Sequence, residues 1–223
     1  MNVFLEDNIN RVRECLFEAS RHISIERALL MTESFKQTEG DPAIIRRAKA
    51  FRHILNNMQI DIKDGEIIVG SRSLTPRAGV VYPECSIKWL EEELDTISQR
   101  DIELFDISEE DKIILTNEIL PYWKGKDLQS VIESVLPEEV KEARSSNVFT
   151  LNQTTHNQGH ILPNVEKWLK KGIGGILEEI ELKKQKFSSE TPQEISNFYQ
   201  AAEIALLGVS EFIRRYAALA AEL

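Results

Sequence analysis

Two histidines, His156 and His160, stand four residues apart in the polar stretch 146–163, which contains the run NVFTLNQTTHNQGHILP. On a helix that spacing would put both imidazoles on one face, where they could serve as metal ligands. Gly159 lies between them and Pro163 follows, so a continuous helix is not expected, and no third ligand stands nearby. The reading is no metal site but a polar, irregular loop with one or two histidines turned toward a pocket. Binding residues are disproportionately found on such loops, positioned by a rigid scaffold.

The cysteines offer less. Cys15 and Cys85 form no CxxC pair, so neither a zinc site nor a disulfide framework is signalled. A thiol becomes a nucleophile through a neighbouring base and a lowered pKa. The neighbour of Cys85 is Glu84, and a carboxylate raises a thiol pKa. Both cysteines are read as inert, and a reducing, cytoplasmic compartment is expected. His22 and His53 fall in helical contexts and are read as structural or solvated. Arg46, Arg47 and Lys49 are read as a solvated helix face. The phosphate-cradling, metalloprotease and serine-hydrolase motifs (GxGxxG, the P-loop, HExxH and GxSxG) do not occur. No catalytic residue is therefore assigned within these 223 residues.

Charge narrows the partners. Acidic residues outnumber basic ones 37 to 27, a formal net charge of -10. Nucleic acid and anionic membrane surfaces both call for a basic face, so neither is an expected partner. The first residues, MNVFLEDNINRVRE, lack the apolar core of a secretory signal, and no stretch approaches the roughly 20 apolar residues that span a bilayer.

The elements that must position the polar loop are mostly helical. Leu5, Ile9, Val12 and Leu16 share one helical face. Ser24 is placed as an N-cap, with Gly40 past the end of its helix. Asp41-Pro42 opens the next helix, with a stripe of Ile44, Ala48, Phe51 and Leu55. Ile60-Asp61-Ile62 and Glu66-Ile67-Ile68-Val69 flank Lys63-Asp64-Gly65 and are read as a β-hairpin. Residues 71–85 are read as an irregular loop. Ser86 is placed as the cap of a helix carrying Ile87, Leu90, Leu94 and Ile97. Ser108 with Asp111 makes a capping-box variant before a run ended by Pro121-Tyr122-Trp123-Lys124-Gly125. Pro137 starts a short helix.

After the polar loop, Val165, Leu169, Ile173, Ile176 and Ile180 mark a long helix containing Gly172, Gly174 and Gly175. Each of these glycines costs about 1 kcal/mol relative to alanine, so close packing against a neighbour is expected there. Thr191-Pro192-Gln193-Glu194 opens the last helix, striped by Phe198, Ala202, Ala205, Val209, Phe212 and Tyr216. It stops at Ala221-Glu222-Leu223 without a helix-ending residue, which leaves a truncated chain as one expectation.

Several runs, taken in order, resemble a known family. They are IERALLMTESFKQTEGDPAIIRRAKAFR (25–52), GEIIVG (65–70) with Arg72, Pro76-Arg77 and Tyr82-Pro83-Glu84, WLEEELD (89–95), ISEEDK (107–112), PYWKGK (121–126) and GHILPNVEKWLKKGIGGILEEIE (159–181). Together they are similar to the N-terminal part of the pyruvate formate-lyase-like glycyl radical enzymes, nearest the branch of the B12-independent glycerol dehydratase. The resemblance covers nearly the whole chain.

It implies a fold that is mainly α with a small β-hairpin: the helical N-terminal shell of a ten-stranded α/β barrel, the barrel itself largely missing. Residues 1–223 would be the incomplete N-terminal part of one large domain. It also implies a thiyl-forming cysteine in a Cys-x-Glu motif and a radical-storing glycine in an RVxGY-type motif, installed by a radical S-adenosylmethionine activase. Neither motif occurs in this sequence. By resemblance, His160 in Gly159-His160 faces the substrate, where an imidazole can donate to or accept from a hydroxyl that leaves as water. His156 and Asn157 are secondary substrate-binding candidates. LNQTTHNQ lacks the aromatic cluster of the glycerol enzyme, which puts glycerol itself in doubt.

Two readings follow. One is a fragment or split piece of a glycyl radical lyase or dehydratase for a small polar substrate, inactive alone and a homodimer when complete. The other is a stand-alone helical binding module that pairs with a C-terminal barrel chain or with the activase.

Overall fold

The computed structural model describes residues 3–66, 68–102, 104–146 and 162–223. Most of them are helical. In chain order the elements are α1 (Val3–Glu18), β1 (His22–Ser24), α2 (Glu26–Gln37), α3 (Ala43–Asn57), β2 (Ala78–Val80), α4 (Lys88–Glu93), α5 (Glu109–Ile114), α6 (Leu120–Trp123), α7 (Leu128–Val135), α8 (Glu138–Ser145), α9 (Val165–Lys184) and α10 (Gln193–Glu222). They form two compact units. One comprises Met1–Ala19, Leu29–Arg77 and Leu162–Leu223; the other comprises Ser20–Ala28 and Ala78–Ile161.

The first unit is organised by α3 and α10. Ile45 and Ala48 of α3 bury against Ala201 of α10, with Ile204 packed beside them. The helices lie so close at Gly208 that a Cβ there would stand 2.9 Å from the Arg52 Cα. Polar contacts fix the register. Arg52 Nε donates to Glu211 at 2.9 Å, and Asn56 donates to the same carboxylate at 2.8 Å. Arg215 donates to the carbonyls of Leu55 and Met58, satisfying groups that the end of α3 leaves without helical partners.

The second unit holds the one sheet among the described residues. β1 pairs in parallel with β2, His22 opposite Ala78 and Ser24 opposite Val80. Asp106 bridges the other edge of β1, its carbonyl accepting from Ile23 N at 2.8 Å. Leu90, Ile97, Leu115, Ile119 and Val81 are fully buried in this unit.

Several expectations change. The hairpin at 60–69 is not formed by the described residues. The Asp64-Gly65 turn closes, with Glu66 N donating to Lys63 O at 3.0 Å, but no strand pairing extends from it. Glu66 turns its carboxylate back onto Lys63 N, so local contacts replace the ladder. The strands lie instead at 22–24 and 78–80, in segments read as a helix cap and a loop. Ser24 is accordingly the last residue of β1, its carbonyl accepting from Val81 N. Ser86 caps nothing; its hydroxyl donates to Gln129.

The helical run after Ser108 does end within Pro121–Gly125, at Trp123, but it passes through Pro121 to get there. Leu115–Ile119 winds as a π-turn, with Leu120 N reaching Leu115 O, and the helix continues to Trp123. Widening the repeat changes which carbonyl must be served where the ring of Pro121 removes a donor.

Candidate functional site

His156, Asn157 and His160 all lie outside the described residues. What the structure supplies is how the chain is held on each side of that stretch.

On the side leading in, α7 and α8 are tied by side chains. Asp127, fully buried, caps α7 by accepting from Ser130 N at 3.1 Å. Ser86 donates to Gln129, Gln129 donates to Glu133 at 2.9 Å, and Arg144 near the end of α8 donates to the same Glu133 at 3.4 Å. The hydrogen bond from Gln129 is the main cause that holds the Glu133 carboxyl below its ordinary range; Lys88 and Arg144 add to it, against a smaller opposing effect of burial. The relay ends at Arg144, two residues before Ser146, where the polar stretch begins.

The second feature of this unit is a buried ion pair. Arg27 grips Glu84 with both arms, Nη2 to Oε1 at 2.5 Å and Nη1 to Oε2 at 3.1 Å. The guanidinium stacks 3.9 Å over the Tyr82 ring, and Glu84 is only 8% exposed. A planar fork against a carboxylate fixes orientation as well as charge. The backbone is locked too. Leu128 N donates to Glu84 O at 3.0 Å, and Gln129 N donates to Cys85 O at 3.1 Å. Tyr82-Pro83-Glu84-Cys85-Ser86 is thus clamped between α2 and α7. Both oxygens of the Glu84 carboxylate are committed to Arg27, so it is a strut rather than a free base. Cys85 is buried and Cys15 exposed.

On the side leading out, Asn164 caps α9, its Oδ1 accepting from Lys167 N at 3.0 Å. The helix then breaks. Gly172 adopts φ 60, ψ -174, so α9 is two helical pieces joined at a kink. The expected close packing of these glycines is not what explains them. A Cβ at Gly172 or Gly174 would meet nothing within 4 Å; the conformation of Gly172 is the reason for it. Lys167 reaches Glu179 at 2.7 Å across the bend and Lys171 contacts the same carboxylate. Those two hydrogen bonds, Lys167 first, hold Glu179 well below its ordinary 4.5, at about 2.

Beside this bend lies an apolar groove of about 790 Å³, lined among others by Phe51, Trp168, Ile176, Ile180, Phe198 and Leu206. Part of the α10 stripe lines this groove, while Tyr216 of the same stripe is buried. Phe198 is 56% exposed, and together with Ala202, Ala205 and Val209 it faces the groove. The α1 stripe behaves alike: Ile9, Val12 and Leu16 are exposed and line a second groove with Ile68. Among the described residues no three His, Cys, Asp or Glu side chains converge as a metal site. No helix among them is long and apolar enough to cross a membrane.

The family model for pyruvate formate lyase-like proteins matches residues 4–223. The chain belongs to the pyruvate formate lyase-like family. Over 97% of its length it superposes on the glycerol-bound form of the B12-independent glycerol dehydratase from Clostridium butyricum, with a TM-score of 0.92 and 40% identity, covering 28% of that chain. It is 35% identical to the trans-4-hydroxy-L-proline dehydratase of Clostridioides difficile over 78% of this chain and 22% of that protein. It is 32% identical to a probable dehydratase of Escherichia coli over 90% of this chain and 25% of that protein. The chain thus spans about a quarter of the length of the relatives it matches. Its mainly helical fold with a small two-stranded parallel sheet is consistent with a piece of such an enzyme.

Sequence reasoning missed Arg27, Glu179 and the kink at Gly172. Arg27 carried no motif, and its partner lies 57 residues away. The kink had a signal in the Gly172-Ile173-Gly174-Gly175 run, which periodicity absorbed into a helix.

Proposed function

We propose that this chain is the N-terminal portion of a glycyl radical lyase or dehydratase acting on a small polar, diol-like substrate. The observation that carries the reading is the continuous likeness to such enzymes along nearly the whole chain, against only about a quarter of their length. On this reading the thiyl cysteine and the radical glycine belong to the remaining barrel, and the chain alone is inactive. A radical S-adenosylmethionine activase installs the radical, and the complete protein works as a cytoplasmic homodimer.

The contribution of this portion is to binding. His160 meets a substrate hydroxyl, assisted by His156 and Asn157, and an imidazole there can give or take the proton as water leaves. The Ser86–Gln129–Glu133–Arg144 relay on one side and the Asn164 cap on the other hold the two ends of that stretch.

The test is a chimera in which this chain replaces the matching portion of the Clostridium butyricum glycerol dehydratase. After activation it is expected to dehydrate small diols. His160→Ala is expected to lower kcat/KM on the order of a hundredfold or more, the scale of a lost general acid–base group. A folded, radical-bearing chimera in which His160→Ala changes nothing would remove the assignment of His160.

A further inference from the structure

The piece of α9 before Gly172 is folded back on the piece after it. Lys167 and Glu179 are twelve residues apart, which on a straight helix would separate their backbones by about 18 Å. They meet at 2.7 Å instead. Three features produce this. Gly172 occupies a φ/ψ region that is essentially restricted to glycine. Gly175 leaves room for the stem of Lys171, whose Cβ would lie 3.1 Å from a Cβ placed there. Glu179 then receives two ammonium groups, from Lys167 and Lys171. The folded-back arm carries Trp168, which lines the apolar groove together with Phe51, Ile180 and Phe198.

We infer that Val165–Lys171 is a hinged strap that holds Trp168 over the α3–α9–α10 groove, with Gly172 as the hinge and the Glu179 carboxylate as the latch. The division of labour is physical. Trp168 is 43% exposed, so its burial against the groove is partial. The latch is exposed enough to be screened: the side chains of Lys167, Lys171 and Glu179 are 43%, 45% and 35% exposed. A closure built from exposed ion pairs and half-buried aromatic surface is weak by construction and opens without unfolding the helices beneath it. Opening withdraws Trp168 from a groove whose other walls include the buried Ile180 and the already part-exposed Phe51 and Phe198. The inference stands on the geometry of unit one alone and does not depend on the assignment of His160.

The test is amide hydrogen exchange of the 223-residue chain, followed by mass spectrometry. In Glu179→Gln, and in the unmodified chain at about 1 M salt, where the Debye length falls to about 3 Å, arm peptides covering 165–171 are expected to exchange faster, about two- to tenfold for the loss of exposed ion pairs. Peptides from α3 and α10 are expected to keep their rates. Gly172→Ala is expected to straighten α9 and to raise acrylamide quenching of Trp168 fluorescence, read as the difference from the same variant with Trp168→Phe. If Gly172→Ala does not fold, the Glu179→Gln and salt measurements decide. Unchanged arm exchange in both would overturn the latch. Equal acceleration in α3, α10 and the arm would show a general loosening and overturn it as well.

Discussion

Arg27→Met is the most informative single perturbation of the fold. It removes the guanidinium but keeps an aliphatic stem over Tyr82. Glu84, 8% exposed, then faces the interior as a carboxylate with no cation. Breaking a buried pair from one side costs about 3–5 kcal/mol. Arg27 itself is 19% exposed, which places the cost near the lower end, about 3 kcal/mol. Loss of the cation over the Tyr82 ring adds about 0.5–1 kcal/mol. Against a total stability of about 5–15 kcal/mol this is a large fraction. Urea unfolding followed by circular dichroism reads it directly: with a slope of about 1–3 kcal/mol/M, the midpoint falls by at least about 1 M. The companion variant Arg27→Met/Glu84→Leu removes both charges and is expected to recover most of the loss, since apolar replacement of a buried pair is often close to neutral. A cost below about 1 kcal/mol for Arg27→Met, or a double variant as unstable as the single, would refute the claim that an orphaned charge dominates.

Three further predictions rest on single contacts. Ser108→Ala removes the hydroxyl that accepts from Asp111 N at 3.0 Å and should cost about 0.5–2 kcal/mol by the same urea assay. Gly208→Val places a branched side chain where even a Cβ would lie 2.9 Å from the Arg52 Cα, so α3 and α10 must separate; a thermal melt should show a loss of about 1–3 kcal/mol. Glu179 should titrate near pH 2 by carboxyl NMR. Its folded pKa lies below its ordinary 4.5, so its contribution to stability is complete above that value and disappears as pH falls from 4.5 through about 2. A midpoint near 4.5 would mean that the Lys167 and Lys171 contacts do not persist in solution.

What could be read from sequence was what is local. Ser108 capping Asp111 is a contact three residues long, and it stands in the structure as expected. The helices do open after Pro42, Pro137 and Pro192, but Pro42 and Pro192 are the N-caps rather than the first helical residues, and the capping box at Thr191–Glu194 is not made: Thr191 Oγ1 accepts from Ser188 N at 2.9 Å instead. The hairpin at 60–69 failed because strand pairing is decided by distant partners. β1 and β2 are three residues each, too short to show alternation, and they lie more than fifty residues apart. Apolar stripes located the helices but not what they face. The α10 stripe of Phe198, Ala202, Ala205 and Val209 lines a groove, while the buried contacts to α3 come from Ala201 and Gly208, one position around the helix. Periodicity also ran through Gly172, because nothing in apolar spacing registers a backbone turned to positive φ. For the candidate site, the polar stretch and its histidines lie almost wholly outside the described residues. The contacts Arg27–Glu84 and Gln129–Glu133–Arg144 depend on tertiary approach, which local spacing does not register.

As the N-terminal portion of a glycyl radical enzyme, this chain should support radical formation only when joined to the remaining barrel. The direct measurement is electron paramagnetic resonance after anaerobic incubation with a radical S-adenosylmethionine activase, made on the chain alone and on its chimera with the remaining part of the Clostridium butyricum glycerol dehydratase. A glycyl radical signal with diol turnover is expected from the chimera, and none from the chain alone. A radical signal from the chain alone, or a folded chimera that carries the radical yet turns over no small polar substrate, would contradict that expectation.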